Sequence, residues 1–271
     1  MKAIFCALAV LALIAGVNAT VAADRTIRLA STTSTENSGL FSHLLPAFEA
    51  RTGIRVHVIA VGTGQAIRLA KRGDADVLLV HHKPSEERFV RAGFGVKRHD
   101  VMYNDFVLIG PASDPARVRG GKDVTAALKK IARAKATFVS RGDDSGTHKK
   151  ERGLWRAAQV DIKTTGGSWY RETGSGMGAA LNTASGLSAY VLSDRATWIA
   201  FRNKGQLALM VEGDKRLFNQ YGLILVNPRK HPHVRANDGN VFIAWLTSAD
   251  GQKTIAAFKV KGLQLFFPNA R

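Results

Sequence analysis

The chain has 271 residues, with 39 Lys and Arg against 21 Asp and Glu, a formal charge of +18. Its one cysteine, Cys6, excludes an internal disulfide and, with the N-terminal segment removed, any thiolate metal site or cysteine nucleophile. The positive field attracts anions, but the basic residues are spread along the chain with neither a basic tail nor an RNP-like aromatic motif, so no nucleic-acid partner is expected.

The N-terminus reads as an address. Lys2 precedes an apolar run over residues 3–17, and Val21-Ala22-Ala23 sets small side chains before a cut ahead of Asp24, with a cut after Ala19 as the alternative. Residues 1–23 are expected to be a secretory signal peptide. The run is too short for a membrane span, and no second one follows. Cys6 lies early in the run and not at the cut, so a lipoprotein anchor is not expected. The remainder is long enough for one large or two medium domains.

From residue 26 onward, strands alternate with helices. Residues 26–30 predict a strand. Residues 38–51 predict a helix from Leu40, Phe41, Leu44, Leu45 and Phe48, kinked or delayed by Pro46. Residues 55–61 alternate as a strand and end in Gly62-Thr63-Gly64; residues 65–72 follow as a helix closed by Gly73. Residues 77–80 predict a strand covered on both faces, and 106–109 another. A helix over 124–134, a strand over 137–140 and a helix over 147–159 come next. Residues 169–172, the Gly/Ser loop 173–178 and a helix over 179–185 repeat that unit. A strand over 190–192, a helix through Phe201 capped by Ser193 or Asp194, a strand over 221–226 and helices over 241–246 and 253–258 complete the chain. This alternation predicts an α/β fold with parallel sheets and right-handed crossovers. Ligands of such sheets bind beyond the carboxyl ends of the strands. Four strand-ending turns, starting at Ser31, Gly62, Arg141 and Thr173, are rich in Ser, Thr and Gly, and we place all four around one cleft.

Two of these turns carry most of the chemistry. Ser31-Thr32-Thr33-Ser34-Thr35 and Arg141-Gly142-Asp143-Asp144-Ser145-Gly146-Thr147 concentrate hydroxyls, bare N–H groups and, in the second, a guanidinium. Such donors hold a tetrahedral oxyanion, most effectively at a helix N-terminus. Asp143 or Asp144 can pair with Arg141 from behind. Each segment alone also reads as an N-cap followed by a turn; the coincidence of four turns favours binding. Enzymatic readings lack their motifs. No Gly-x-Ser-x-Gly elbow and no Gly-x-x-x-x-Gly-Lys-Ser/Thr loop is present. The adjacent His81-His82 and the pair His231-Pro232-His233 have poor metal spacing. No enzyme and no cofactor is expected, with a hydrolase as the rival class.

In their order, Ser-Thr-Thr-Ser-Thr near residue 31, Gly-Thr-Gly-Gln from 62, Ala-Asp-Val-Leu-Leu-Val-His from 75 and Arg-Gly-Asp-Asp-Ser-Gly-Thr-His from 141 resemble the periplasmic tungstate-binding proteins of Tup-type ABC importers. The resemblance covers most of the chain after the signal peptide. It implies a two-lobed type II periplasmic-binding-protein fold, each lobe a sheet flanked by helices, with two hinge crossovers. Lobe I would hold residues 24–108 and 221–271, lobe II residues 109–220, with crossings near 105–110 and 219–223. A dehydrated tungstate, or molybdate, would be gripped by Thr33, Ser34, Thr63, Arg141, Ser145 and Thr147, with Gly174, Ser175 and Gly176 at a further loop. Closure on the ligand, a permease and an ATPase as partners, a monomeric state and, for a Gram-negative source, a periplasmic location are the accompanying expectations.

Phosphate-binding proteins share the Arg-x-Asp-x-Ser-Gly-Thr pattern, and a phosphate- or sulfate-binding transport protein is the alternative. They place a carboxylate after the Ala-Asp strand to accept the proton of monoprotonated phosphate. Here His81 holds that place, which favours a fully deprotonated anion. Asp143, Asp144 or a neutral His81 remains open as a proton acceptor. Trp169, close to the loop at 173, is a candidate fluorescence reporter of binding.

Overall fold

The computed structural model describes residues 25–270, so the expected signal peptide and Cys6 lie outside the described residues. The first half contains β1 (Thr26–Thr32), α1 (Thr33–Asn37), α2 (Leu40–Thr52), β2 (Arg55–Val61), α3 (Thr63–Arg72), β3 (Val77–Val80), α4 (Lys83–Arg91), β4 (Gly95–Pro111) and α5 (Val124–Arg133). Then come β5 (Phe138–Ser140), α6 (Gly146–Ala157), α7 (Ile162–Thr165), β6 (Tyr170–Glu172), α8 (Met177–Leu187), β7 (Tyr190–Asp194), α9 (Arg195–Ala200) and β8 (Leu207–Val211). After a 3-10 turn at Lys215–Leu217, β9 (Phe218–Val226), α10 (Ala236–Thr247), α11 (Ala249–Ala257) and the short β10 (Lys259–Val260), β11 (Leu263–Gln264) and β12 (Phe267–Pro268) close the chain.

The strands follow the hydrogen-bonded order β2-β1-β3-β9-β4-β7-β5-β6, with β8 and β12 also on β4. β1 runs parallel to β2 and β3, and β5 parallel to β6 and β7. β9 and β4 are antiparallel to their neighbours, so the sheets are mixed, unlike the purely parallel sheets that alternation predicts. The register of β4 separates two lobes. Through Asp105, opposite Phe218, it pairs with β9; from Phe106, opposite Asp194, it pairs with β7. The chain crosses between lobes at that step and returns where the 3-10 turn enters β9.

Strand alternation loads both faces of each sheet. Val77 and Leu79 enter one core with Phe48 and Phe242, while Leu78 and Val80 enter another with Ile67 and Phe89. In the second lobe Phe106 and Leu108 pack with Trp155, and Val107 and Ile109 with Met177 and Leu181. Fully burying each such side chain contributes about 1.5–3 kcal/mol. The predicted helix over 38–51 is α2, shifted to start at Leu40, and a separate short helix, α1, precedes it over Thr33–Asn37. Gly39, at φ 83°, breaks the chain between α1 and α2. Pro46 lies inside α2 on its exposed side and leaves the exposed Ser42 carbonyl to water. Among the described residues, no helix is long and apolar enough to cross a membrane.

Candidate anion-binding site

Each of the four turns ends a strand and opens a helix: β1 into α1, β2 into α3, β5 into α6, β6 into α8. Thr32 caps α1 by accepting from the Thr35 N–H at 3.3 Å, and Ser145 caps α6 by accepting from the His148 N–H at 3.1 Å. Gly62 and Gly176 precede α3 and α8 without a side-chain cap. Thr63 is thus the first residue of α3, and Gly146-Thr147 open α6. First-turn N–H groups have no partner within their helix and carry the positive end of its dipole.

The starts of α3 and α6 meet across the lobes. Gly64 N–H donates to the Asp144 carbonyl at 3.3 Å, and Arg68 pairs with the Asp144 carboxylate at 3.6 Å. Gly146 packs directly on His81 and Thr63. This contact closes the cleft over the polar cluster. A cavity of about 660 Å³ adjoins the cluster through His81 and Asn219, but Thr63, Arg141 and Thr147 do not line it.

β5 delivers Arg141 into the cluster, where it is 2% exposed. Its Nη2 donates to Asp143 Oδ2 at 2.5 Å and its Nε to the Ser175 carbonyl at 3.4 Å. Asp143 Oδ1 also accepts from the Ser145 N–H at 3.2 Å. Asp143 is therefore the residue that backs the guanidinium, while Asp144 is paired with Lys149 and Arg68. Gly142 permits this turn: it sits at φ 62°, and a Cβ there would lie 2.8 Å from Glu172 Cβ. Ser175 commits both of its donors within its lobe, N–H to the Arg141 carbonyl at 3.1 Å and hydroxyl to Thr173 Oγ1 at 2.8 Å. Its part in the cluster is to orient Arg141. Gly174 is exposed and Gly176 half-buried beside it.

The hydroxyls divide into two sets. Thr63 Oγ1 and Thr147 Oγ1 are buried without a hydrogen-bond partner, which is uncommon for buried polar atoms. Ser145 Oγ accepts in its cap and keeps its O–H to donate. Ser34 Oγ lies 3.1 Å from Thr32 Oγ1 and 3.3 Å from His81 Nε2. Thr33 stands beside it, half-buried at the start of α1.

His81 is enclosed, stacked on Tyr221 at 4.9 Å between ring centroids, with Nδ1 3.1 Å from Asn219 Oδ1. Burial pushes its pKa down to about 3; the Asn219 contact opposes this, and the positive neighbours Arg141, His82 and Lys150 add to it. The ring is neutral. Asn219 and, behind it, Asn104 belong to the cluster but carry no motif. The β4–β9 register sets them opposite each other, and local sequence gives no sign of that. Trp169 does not sit at the loop. β6 separates the two, and the indole packs on Trp155 at 5.7 Å with its N–H on the Thr165 carbonyl.

Comparison with known proteins shows the family and the fold. The PBP superfamily domain matches residues 17–250. The tungstate-binding protein TupA of Peptoclostridium acidaminophilum is 49% identical, over 92% of this chain and 87% of its own. A putative ABC transporter anion-binding protein of Haloferax volcanii is 47% identical, over 90% of this chain and 72% of its own. Among solved structures, the tungstate-binding protein TupA from Desulfovibrio alaskensis G20 superposes with a TM-score of 0.79 at 46% identity, over 91% of this chain and all (100%) of that one. The tungstate ABC transporter structure from Geobacter sulfurreducens gives a TM-score of 0.79 at 47% identity, over 86% of this chain and 98% of that one. With a helix-opening polar cluster between two lobes and relatives of this kind along most of its length, the chain belongs to the PBP superfamily and, within it, to the TupA family of binding proteins.

Proposed function

We propose that the chain is the extracytoplasmic solute-binding protein of an ABC importer and binds tungstate, with molybdate as the closest competitor, between its lobes. The observation that carries this reading is the pair of buried, unpartnered hydroxyls, Thr63 Oγ1 and Thr147 Oγ1, at the starts of helices from opposite lobes and in the same cluster as the buried Arg141 guanidinium. A tetrahedral dianion offers acceptors to all three and leaves no donor of its own to satisfy. Its Coulomb attraction to Arg141 and to the starts of α3 and α6 strengthens as water is excluded. Thr33, Ser34, Ser145 and the N–H groups at Gly174 and Gly176 complete the proposed donor set.

Neither acidic group of the Arg141 turn is free to take the proton of monoprotonated phosphate, which favours a bare dianion. Asp143 is occupied by Arg141 and the Ser145 N–H, and Asp144 by Lys149 and Arg68. The choice of tungstate within that class is supported by the names of the TupA relatives. In this reading the protein works in the periplasm as a monomer without a cofactor and hands its anion to a membrane permease driven by an ATPase.

Isothermal titration of residues 24–271 with tungstate, molybdate, sulfate, chromate and phosphate tests the proposal. One site per chain, tightest for tungstate or molybdate, is the expected result. Tighter binding of phosphate, or no binding of tungstate, would overturn it.

A further inference from the structure

Ser34, His81, Asn219 and Asn104 form a single file of hydrogen bonds running from the anion cluster to the strands that join the lobes. Asn219 Nδ2 donates to Asn104 Oδ1 at 2.6 Å. Asn219 Oδ1 can only accept, so the His81 Nδ1 lying 3.1 Å away carries the proton. A neutral imidazole protonated at Nδ1 has a bare Nε2, and the Ser34 hydroxyl 3.3 Å away donates to it. In this direction the Ser34 proton points at His81 and is withheld from any ligand. At the far end, Asn104 Nδ2 and the Tyr221 hydroxyl are buried and neither meets a partner at hydrogen-bond geometry, with Thr35 and Asn219 also close to the phenol.

Reversing every bond in the file releases the Ser34 proton at one end and turns an acceptor toward Tyr221 at the other. Asn104 Nδ2 donates to Asn219 Oδ1, Asn219 Nδ2 to His81 Nδ1, and His81 Nε2–H to Ser34 Oγ. The Ser34 proton is then free for an anion oxygen, and Asn104 Oδ1 turns toward the Tyr221 hydroxyl, which can donate to it. The change requires both amides to rotate by half a turn. One proton leaves His81 Nδ1 and one arrives at Nε2, exchanged through water while the cleft is open, so the charge of the ring is unchanged.

We propose that binding of a bare oxyanion selects the reversed direction, and that His81 is the positioning residue that converts Ser34 from a donor toward the protein into a donor toward the ligand. This rests on the proposed anion site. Asn104 immediately precedes the Asp105–Phe106 crossing, and Asn219 follows the return at Leu217–Phe218. The occupancy of the cleft is therefore written into both strands that connect the lobes. The two directions also separate ligand classes. With Ser34 donating to His81, its oxygen can only accept from a ligand, which suits an anion that carries a proton. With Ser34 released, it suits an anion that carries none.

Nitrogen NMR of the imidazole groups, in residues 24–271 labelled with 15N-histidine, tests this. The His81 signals are assigned by their loss in His81→Asn. Without ligand, the proton is expected on Nδ1; with tungstate bound, on Nε2. Tungstate uptake, followed by titration of the same sample, with the proton still on Nδ1 overturns the inference alone. Absence of uptake overturns the site reading and this inference with it. Asn219→Asp supplies a second readout at a pH that keeps the imidazole neutral, because a carboxylate only accepts and then holds the single ring proton on Nδ1. In mildly alkaline buffer, tungstate and monohydrogen phosphate are both dianions, so the added charge cancels in the ratio of their affinities. That ratio is expected to fall about tenfold in favour of phosphate, the equivalent of one unmet buried hydrogen bond. An unchanged ratio overturns the proposal, and the spectra of the unmodified chain decide it if the variant fails to fold.

Discussion

A Cβ placed on Gly146 would lie 2.7 Å from Cε1 of His81 and 2.9 Å from Oγ1 of Thr63. Gly146 belongs to one lobe and the two residues it would strike belong to the other, so the clash exists only when the cleft is shut. Gly146→Ala also places a better helix former in the first turn of α6. The expected outcome is an unchanged or slightly raised melting temperature together with at least tenfold weaker tungstate binding, about 1.4 kcal/mol. Calorimetry and thermal denaturation on the same preparation separate the two effects. Full affinity would mean that the lobes do not need to approach this closely.

Arg141→Ala removes the guanidinium and strands Asp143, whose carboxylate then faces the cluster without its partner. Truncating one member of a buried charged pair weakens binding by about 2–5 kcal/mol, and a dianion facing an unpaired carboxylate should lie at the upper end. Arg141→Lys keeps the charge but loses the second donor, now on the Ser175 carbonyl, and is expected to fall between the two. Titration with tungstate checks both variants; affinity like that of the original chain in Arg141→Ala would remove the residue from the site.

What could be read in the sequence follows from how local each signal is. Residues 55–61 and 77–80 were legible because their apolar pattern alone specifies a strand, and the structure gives β2 and β3 those same bounds. The first part of β4 was not. It carries Lys97, Arg98, His99 and Asp100, whose polar side chains hide its place in the sheet. Helix α4 was missed because two of its three buried side chains, Ser85 and Glu86, are polar and leave Phe89 as the apolar anchor. At the site, Arg141 and the hydroxyl-rich turns are compact motifs. Asn104 and Asn219 join them only through a strand register spanning more than a hundred residues, and the commitment of the Ser175 donors depends on how one loop leans on another.

Acid should destabilise the fold through His81. Its folded pKa is about 3 against an ordinary 6.5, so between these values the unfolded chain binds the extra proton and the folded chain does not. Stability therefore rises with pH across this window and is lost as pH falls through it. His82, lowered to about 4 chiefly by burial, acts in the same direction. The expected result is that the melting temperature of His81→Asn declines less steeply on acidification than that of the original chain. Parallel slopes in a pH series of melting curves would show that His81 takes up its proton as readily when folded as when unfolded.

Glu151 has the opposite sign. Trp155 Nε1 and the Tyr170 hydroxyl both donate to its Oε1, at 3.1 and 2.6 Å, yet burial pushes its pKa up from 4.5 to about 7. Between those values the folded state keeps a proton that the unfolded state has released. The contribution of this group is therefore complete below about 4.5 and is lost as pH rises through 7. Glu151→Gln keeps an oxygen for both donors and carries no charge at any pH. Its stability relative to the original chain should be near zero in acid and grow to the order of 2 kcal/mol in mild alkali. Melting curves at matched ionic strength give the comparison. A variant that is less stable at every pH would mean that the carboxylate is ionised in the fold and contributes through its charge.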